Sequence, residues 1–331
     1  MHPTGPSSGQ RPEAGPADPC GRITELDWFQ EKRPECDDLL PRPAPLGQPF
    51  DVKAAGTRSD GLLPELRAVV PVDLTLCRKG ARDLLWFSAG IANVGDGPLQ
   101  IRPGDRTSKR PADASWIEKD DLTDLREAVQ WILNKDGEVA QKAVVGVFGW
   151  HAVHNHYHTD AMALYEVRRG APDGPVVNKG RKISFCLDDS YAHEAPGVPA
   201  SARAYEEYCR FPQGVGPGWV DEYPYAVAGQ YVDVTGAKEG DYTLVVTVDP
   251  DRVVRQKTRG SNSAWARFTL RRSAGSVPQA RPTGEHSSCE GPGLCGEIEP
   301  AVRGAHYFRG MSAPRTFEDR LKLLQSLGFC D

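Results

Sequence analysis

Residues 84–97 read LLWFSAGIANVGDG, and this stretch decides the fold class. Its first part is rich in apolar and aromatic side chains, which favour a strand packed into a core. Its last three residues, Gly95-Asp96-Gly97, are a turn signal that ends the strand. Another apolar run, 99–102, follows at once. A short strand, a tight turn and a second short strand are typical of an antiparallel sheet.

The same pattern continues along the chain. Region 126–134 is compatible with helix or strand, but the turn at 135–137 and the apolar run 139–147 favour a hairpin. The other predicted strands are 67–76, 163–167, 183–187, 231–235, 242–248 and 266–270. Short strands separated by turns, with few helical periods between them, predict an all-β fold. We expect an antiparallel sandwich or barrel, described best as a β-sandwich-like domain with long loops.

The two flanks differ from this central region. Residues 1–60 are rich in Pro, Gly and charge and are predicted to form an irregular arm, in which Cys20 and Cys36 are a candidate bridge. Residues 273–331 begin as a Gly/Pro/Ser-rich linker and end in a helix that packs on the core. The predicted helix has a capping-box-like pair, an apolar face and a stop signal: Thr316 with Asp319, then Phe317, Leu321, Leu324 and Leu327, then Gly328. The predicted division is therefore 1–60, 61–272 and 273–331.

Composition excludes several function classes. The net charge of −5 argues against a nucleic-acid binder, which would carry a basic stripe. No apolar run is long enough to cross a membrane, and the polar N-terminus lacks the apolar core of a signal peptide. The 8 cysteines form no C-x-x-C pair, so zinc-ribbon and thioredoxin-type sites are unsupported. Disulfides would favour an oxidising compartment, which conflicts with the missing signal.

Chemistry concentrates in residues 149–158, which read GWHAVHNHYH. Of the 8 histidines in the chain, four fall in this segment. Because successive side chains on a strand point to opposite faces, His154, His156 and His158 would project from one face. Three converging imidazoles can bind a transition metal and leave coordination positions open. Copper and zinc both suit such ligands, so the segment alone does not choose between them.

Several motifs in the same order resemble the lysyl oxidase family. The segment H-x-x-H-N-H-Y-H resembles its copper-binding signature, and residues 84–99 resemble its F-S-x-G-I-A-N-x-G-x-G-P-L block. Residues 180–189 resemble its K-x-S-F-C-L-x-D block, and 213–223 with 230–242 resemble the block that follows. The resemblance covers roughly residues 62–270 and is more specific than any single motif.

This resemblance implies roles for individual residues. His154, His156 and His158 match the three copper ligands, whereas His151 matches a flanking histidine. Lys182 and Tyr223 match the pair that is cross-linked into the cofactor lysine tyrosylquinone. Cys186 and Cys209 match a disulfide of the family. Four carboxylates are candidates for the general base: Asp188, Asp189, Asp221 and Asp233.

The activity that the resemblance implies is copper-dependent oxidation of primary amines. Dioxygen oxidises a phenol near copper to a quinone, a neutral lysine amine adds to the ring, and the quinone then accepts electrons from an amine substrate. The expected products are an aldehyde, ammonia and hydrogen peroxide. The expected partners are a lysine-containing protein or peptide, or a small primary amine, together with dioxygen. Neither nucleic acid nor a membrane is expected, and the family resemblance suggests a secreted protein.

A second class of function stays open at this point. A degenerate homologue would bind copper as a β-sandwich for copper handling or as a scaffold, without building the quinone. The chain also departs from the animal pattern, because Val153 and Gly229 stand where the animal enzymes have cysteines. Two family disulfides are therefore missing, and we expect packing to hold the metal-binding segment instead.

Overall fold

The computed structural model describes residues 60–107, 122–151, 156–159, 162–182, 186–205, 212–227, 229–258, 260, 262–272, 278–297 and 316–331. These residues contain sixteen strands and one helix, which confirms the all-β prediction with a C-terminal helix. The predicted N-terminal arm, including Cys20 and Cys36, lies outside the described residues. The strands of the first part are β1 (Leu66–Ala68), β2 (Val72–Lys79), β3 (Arg82–Asn93), β4 (Leu99–Thr107), β5 (Leu122–Leu133), β6 (Val139–His151), β7 (His156–Thr159) and β8 (Ala163–Arg169). The remaining elements are β9 (Val176–Lys182), β10 (Tyr191–Ala192), β11 (Gln213–Val215), β12 (Trp219–Tyr223), β13 (Tyr231–Asp233), β14 (Gly240–Val248), β15 (Ser263–Arg271), β16 (Gln279–His286) and α1 (Phe317–Ser326).

The strands form three antiparallel sheets around one core. The first sheet has the order β1-β3-β12-β10, with β2 and β13 also paired to β3. The second has the order β11-β4-β5-β6-β7, and the third β16-β15-β14-β8-β9. A single cluster of buried apolar side chains draws on all three sheets, so the sheets pack against a shared core.

Strand β3 is the centre of this arrangement, because it is buried on both faces. All its residues except Arg82 are buried. Side chains alternate along a strand, and Leu85, Phe87, Ala89 and Ile91 accordingly lie in the shared core. The alternate residues Leu84 and Trp86 pack on the opposite side, in a separate apolar cluster beside α1. Two-sided burial explains why this segment reads as a continuous apolar run instead of an alternating one.

The turn that follows β3 is built around the side chain of Asn93, which is fully buried. Its Oδ1 accepts hydrogen bonds from the amides of Glu65 (3.1 Å) and Gly95 (2.9 Å). Its Nδ2 donates to the carbonyls of Gly97 and Val215, both at 2.9 Å. A Cβ on Gly97 would lie 2.2 Å from the carbonyl oxygen of Leu62, so the close approach requires glycine. The motif around Asn93 therefore has a structural role in this turn.

The C-terminal helix begins and packs as predicted. Thr316 is its N-cap, with Oγ1 accepting from the Asp319 amide at 3.1 Å. Leu324 is its buried residue, in contact with the cluster that contains Trp86. A disulfide between Cys77 and Cys330 ties this end of the chain to β2, and a second joins Cys289 to Cys295. The first bridge closes a long loop, which is worth about 5 kcal/mol in the chain-entropy description.

The strand positions differ from the sequence-based expectation in several places, since β10, β11 and β12 were not predicted and β9 and β16 differ as follows. Of the strand predicted at 183–187, residues 183–185 lie outside the described part, and Cys186 and Leu187 are not in a strand; the strand β9, which was not predicted, ends before it at Lys182. Val176 and Val177 in β9 are exposed, so the strand carries little of the burial signal on which the prediction relied. The polar segment of β16, assigned to the linker, pairs with β15 as an edge strand. An exposed edge strand lacks the apolar alternation that identifies buried ones.

We expect Asn93→Ala to lower the free energy of unfolding by about 3 kcal/mol, because it leaves four backbone groups, three of them buried, without their partner. Urea unfolding measures this change. Asn178→Ala is the matched control, since its side chain also bonds to backbone but is exposed. Water replaces exposed hydrogen bonds, so the control should stay within about 0.5 kcal/mol of wild type. Equal losses in the two variants would contradict the role given to Asn93.

Candidate metal and cofactor site

The predicted metal-binding segment forms the end of the β6–β7 hairpin. His151, the last residue of β6, pairs with His156, and Gly149 pairs with His158. His154 lies outside the described residues, and His156 is described by its backbone alone. Because side chains alternate along β7, His156 and His158 occupy the same face of the strand. His158 is 1% exposed, so it is a buried imidazole and not a surface histidine.

Tyr157, between these two histidines, anchors the strand from its other face. Its ring stacks on Phe148, with ring centroids 5.6 Å apart, and meets the edge of Trp150 at 5.2 Å. Its hydroxyl donates a hydrogen bond to Asp124. Burial and then this hydrogen bond raise the pKa of Tyr157 to about 12, so the hydroxyl keeps its proton and remains a donor at neutral pH. Aromatic packing of the Tyr157 ring thus helps to hold the histidine strand in place.

The predicted cofactor tyrosine lies in β12. Tyr223 pairs with Ala89 of β3 and is buried. Its hydroxyl donates a hydrogen bond to the carbonyl of Cys186. Lys182 is the last residue of β9, where its backbone pairs with Ala163, and its side chain lies outside the described part. Cys186 is the fourth residue after Lys182, so the Cα atoms of the two lie at most roughly 14 Å apart. The phenol of Tyr223 therefore lies against the segment that follows Lys182.

Hydrogen bonds connect this segment to the histidine strand. The Gly214 amide donates to the carbonyl of Leu187 at 3.1 Å, next to Cys186. The neighbouring Gln213 is fully buried, and its Nε2 donates to the carbonyl of Tyr157 at 2.8 Å. Strand β11, which contains both residues, is held in place by pairing with β4. The region of Tyr223 and the strand of His158 are thus joined through two adjacent residues.

Of the predicted disulfide in this region, the described residues include only one cysteine, Cys186. Cys186 is disulfide-bonded, which removes its thiol as a metal ligand. Cys209 lies outside the described residues, so the pairing of Cys186 with Cys209 stays a prediction.

The four candidate carboxylates occupy different environments. Asp189 accepts three backbone hydrogen bonds, from Gly216 (2.7 Å), Ala204 (3.0 Å) and Tyr205 (3.1 Å), which is the environment of a structural carboxylate. Asp188 accepts from the Ser190 hydroxyl at 2.7 Å.

Asp233 and Asp221 differ most strongly from each other. Asp233 forms an ion pair with Arg82 at 2.9 Å, and both side chains are accessible to solvent. Asp221 is 1% exposed and lies two residues from Tyr223, on the same face of β12. Burial raises the pKa of Tyr165, and the nearby Asp221 carboxylate raises it further. Among the four carboxylates, Asp221 is thus the one that shares a strand and a strand face with Tyr223.

The importance of two polar residues was not foreseen from the sequence. Gln230 is fully buried, and its Oε1 accepts from the Tyr165 hydroxyl at 3.3 Å, near Asp221. Gln213 bridges to the histidine strand as described above. Both residues lie in the sequence blocks that resemble the lysyl oxidases, and this resemblance is the feature from which their importance could have been predicted. His193 is a buried packing histidine, and its Nδ1 accepts from the Ala195 amide at 3.0 Å.

Within the described part of the chain, no three His, Cys, Asp or Glu residues come together as a metal site. The described part of the chain includes the side chain of His158 but not those of His154 and His156. Among the same residues, no helix is long and apolar enough to span a membrane.

Comparison with known proteins finds similarity over part of this chain. The lysyl oxidase family model matches residues 140–278, and the match confirms the resemblance carried by the sequence motifs. The matched residues include the β6–β7 hairpin, Lys182, Cys186 and Tyr223.

Individual relatives agree with the family match. Lysyl oxidase homolog 3 of Homo sapiens is 32% identical over 115 residues, which cover 34% of this chain and 14% of the relative. Protein-lysine 6-oxidase of Sus scrofa is 31% identical over 114 residues, which cover 34% of this chain and 43% of the relative. The chain therefore spans less than half the length of either curated relative.

The aromatic packing of Tyr157 can be separated from its hydrogen bond. We expect Tyr157→Ala to lower the free energy of unfolding by about 4 kcal/mol, because it removes a buried ring that touches two others. Tyr157→Phe keeps the ring and loses only the bond to Asp124, at a cost of about 1 kcal/mol. Urea unfolding of the metal-free protein provides both values. If Tyr157→Phe cost as much as Tyr157→Ala, the hydroxyl and not the ring would anchor the strand.

Proposed function

We propose that this protein is a copper-dependent quinoprotein amine oxidase that converts primary amines to aldehydes. The observation that carries the proposal is the position of Tyr223. Its phenol is buried against the Cys186 carbonyl, on the segment that directly follows Lys182. Hydrogen bonds through Gly214 and Gln213 join that segment to the histidine strand. All of these residues lie within the stretch that matches the lysyl oxidase family.

The residues fit the groups that the family implies. We assign His154, His156 and His158 as copper ligands, since imidazole is a preferred ligand of copper and His158 is a buried imidazole in β7. We assign Lys182 and Tyr223 as the precursors of lysine tyrosylquinone. When present, copper and the quinone would supply the electron acceptor through which dioxygen oxidises an amine. In the net reaction, one primary amine, one dioxygen and one water give one aldehyde, one ammonia and one hydrogen peroxide.

The remaining chemistry belongs to the protein side chains. We assign Asp221 as the general base that removes a proton from the substrate carbon, because it is buried and shares the face of Tyr223 on β12. The buried residues around it, Tyr165 and Gln230, form a hydrogen-bonded pair that fixes the wall of this region. Burial keeps bulk water from competing for the transferred proton.

The substrate we propose is a lysine side chain of a protein or peptide, with small primary amines as the simpler alternative. The name of the pig relative, protein-lysine 6-oxidase, supports the first choice. We also propose an oxidising or extracellular location, because structural disulfides persist in such compartments and the described residues contain Cys77–Cys330 and Cys289–Cys295. The catalytic part is proposed as residues 61–272, with 1–60 and 273–331 as flanks.

The first test concerns the cofactor. After aerobic incubation with copper, the wild-type protein should develop visible absorbance and form a coloured adduct with phenylhydrazine. Lys182→Ala and Tyr223→Phe should each lose the adduct, because each removes one half of the cross-link. Lys179→Ala is the matched control, since Lys179 lies three residues from Lys182 in β9 and is exposed.

The result also separates oxidase activity from copper handling. If the copper-loaded wild-type protein stays colourless and forms no hydrazone, the oxidase proposal is wrong. The alternative, a copper-binding protein without oxidase activity, would then be favoured. Simultaneous replacement of His154, His156 and His158 by Ala should abolish copper binding, as measured by titration calorimetry. Unchanged copper binding would place the metal site elsewhere.

The second test concerns the base. We expect Asp221→Asn to reduce kcat for a primary amine by about 10³-fold while the phenylhydrazine adduct still forms, because the amide cannot accept the proton. Asp233→Asn should leave kcat within about twofold of wild type, since its ion pair with Arg82 is exposed. A loss of kcat in Asp233→Asn, with wild-type kcat in Asp221→Asn, would reverse the assignment.

A further inference from the structure

The C-terminal helix packs on the apolar cluster that contains Tyr223. We call this group the Trp86 cluster, and its buried members are Cys77, Leu84, Trp86, Tyr223, Tyr225, Ala226, Val227, Leu324 and Cys330. Phe329, just after the helix, stacks on Trp86 with ring centroids 4.9 Å apart and an interplanar angle of 10°. Trp86 in turn meets the ring of Tyr231 at 4.9 Å. A helix outside the family match at 140–278 therefore covers the surroundings of the candidate cofactor tyrosine.

A polar connection runs from the same helix to the segment after Tyr223. Arg320 forms an ion pair with Asp73, with Nη1 and Oδ1 separated by 3.7 Å. The other oxygen of Asp73 accepts a hydrogen bond from the Ser88 hydroxyl at 2.8 Å. The Ser88 hydroxyl oxygen accepts from the backbone amide of Tyr225 at 3.1 Å. Each link is a direct contact, so a side chain of α1 reaches the backbone two residues beyond Tyr223.

Burial makes this connection stronger than a surface ion pair. The side chains of Arg320 and Asp73 are only 12% and 14% exposed, and Ser88 is 1% exposed. Arg320 is also held by a second bond, from its Nε to the Thr75 hydroxyl at 2.9 Å. Partly buried charges are less screened by solvent and salt than exposed ones. The guanidinium is therefore fixed in a position from which it can orient Asp73.

The end of the chain is attached to the first sheet at several further points. The Cys77–Cys330 disulfide joins it to β2, with the Cα atoms 5.9 Å apart. The Asp331 amide donates to the Arg78 carbonyl at 2.8 Å, and an oxygen of its side chain accepts from the Gly80 amide at 2.6 Å. These contacts fix the helix on β2 independently of Arg320. Replacing Arg320 therefore tests the polar connection without releasing the helix.

We propose that α1 is part of the Tyr223 site and that Arg320 is a positioning residue, which holds the segment after Tyr223 through Asp73 and Ser88. The inference rests on the proposed function for its relevance to the cofactor, since Tyr223 is the assigned cofactor precursor. Its structural content, the restraint of the Tyr225 amide by a side chain of α1, is independent of that function.

The experiment follows the Tyr225 amide in the full-length protein without metal. Labelling with ¹⁵N-tyrosine gives few amide signals, since the chain contains 10 tyrosines, and Tyr225→Phe identifies the signal of interest. In Arg320→Met we expect hydrogen exchange of the Tyr225 amide with solvent to be about tenfold faster. The reason is that Asp73, which holds the Ser88 hydroxyl that accepts from this amide, loses its ion-pair partner. Arg320→Gln is a milder second variant and should show the same direction. Arg320→Lys keeps the charge and should restore most of the protection.

Lys322→Met is the matched control, since Lys322 is exposed on the same helix. The proposal is overturned if exchange of the Tyr225 amide in Arg320→Met and Arg320→Gln stays within twofold of that in Lys322→Met. It is also overturned if Arg320→Lys exchanges as fast as Arg320→Met, because the charge would then have no role.

The cofactor readout then separates the two proposals. After aerobic incubation with copper, Arg320→Met should form the phenylhydrazine adduct at a rate about tenfold lower than Lys322→Met. If the wild-type protein forms no adduct, the proposed function fails, and amide exchange alone decides the positioning role. If all variants form the adduct at the wild-type rate, the oxidase proposal stands and Arg320 has no role in positioning Tyr223.

Discussion

Burial of β3 on both of its faces is the constraint on which the rest of the structure depends. One face supplies Leu85, Phe87, Ala89 and Ile91 to the core shared by three sheets. The other supplies Leu84 and Trp86 to the Trp86 cluster. Because four other strands pair with β3, its backbone is hydrogen-bonded along both edges as well. A strand enclosed in this way cannot shift register without moving apolar side chains into the wrong layer.

The candidate site takes its rigidity from this strand. Tyr223 pairs directly with Ala89, so its backbone position follows that of β3. The neighbouring Ser88 accepts from the Tyr225 amide, which extends the same support beyond the end of β12. The histidine strand, by contrast, depends on the ring of Tyr157 and on the side chain of Gln213. The two halves of the site thus have separate anchors and meet through residues 186–187 and 213–214.

The sequence predicted the fold class because β3 and the strands of the shared core carry the periodic or continuous apolar patterns that burial requires. It predicted α1 because the N-cap Thr316 and Asp319, three positions later, form a capping signal that is visible in the local sequence. It did not predict β16 or the position of β9, since exposed edge strands are specified by their neighbours and not by their own residues. The positions of Lys182 and Tyr223 came from motif resemblance, and their assigned roles remain a proposal. The connection from Arg320 to Tyr225 joins residues far apart in the chain, so no local pattern reveals it.

The disulfide between Cys77 and Cys330 has a consequence for the integrity of the molecule. Its two cysteines are separated by 253 residues, so one covalent ring includes β3, the histidine hairpin, Tyr223 and α1. A protease that cuts once in an exposed loop of this ring leaves both fragments joined. The two fragments stay covalently linked, so their strands remain close in space. Pairing the strands again therefore costs less entropy than it would for two separate chains. The bridged chain would in this way tolerate a first cleavage that would disperse an unbridged protein of the same fold.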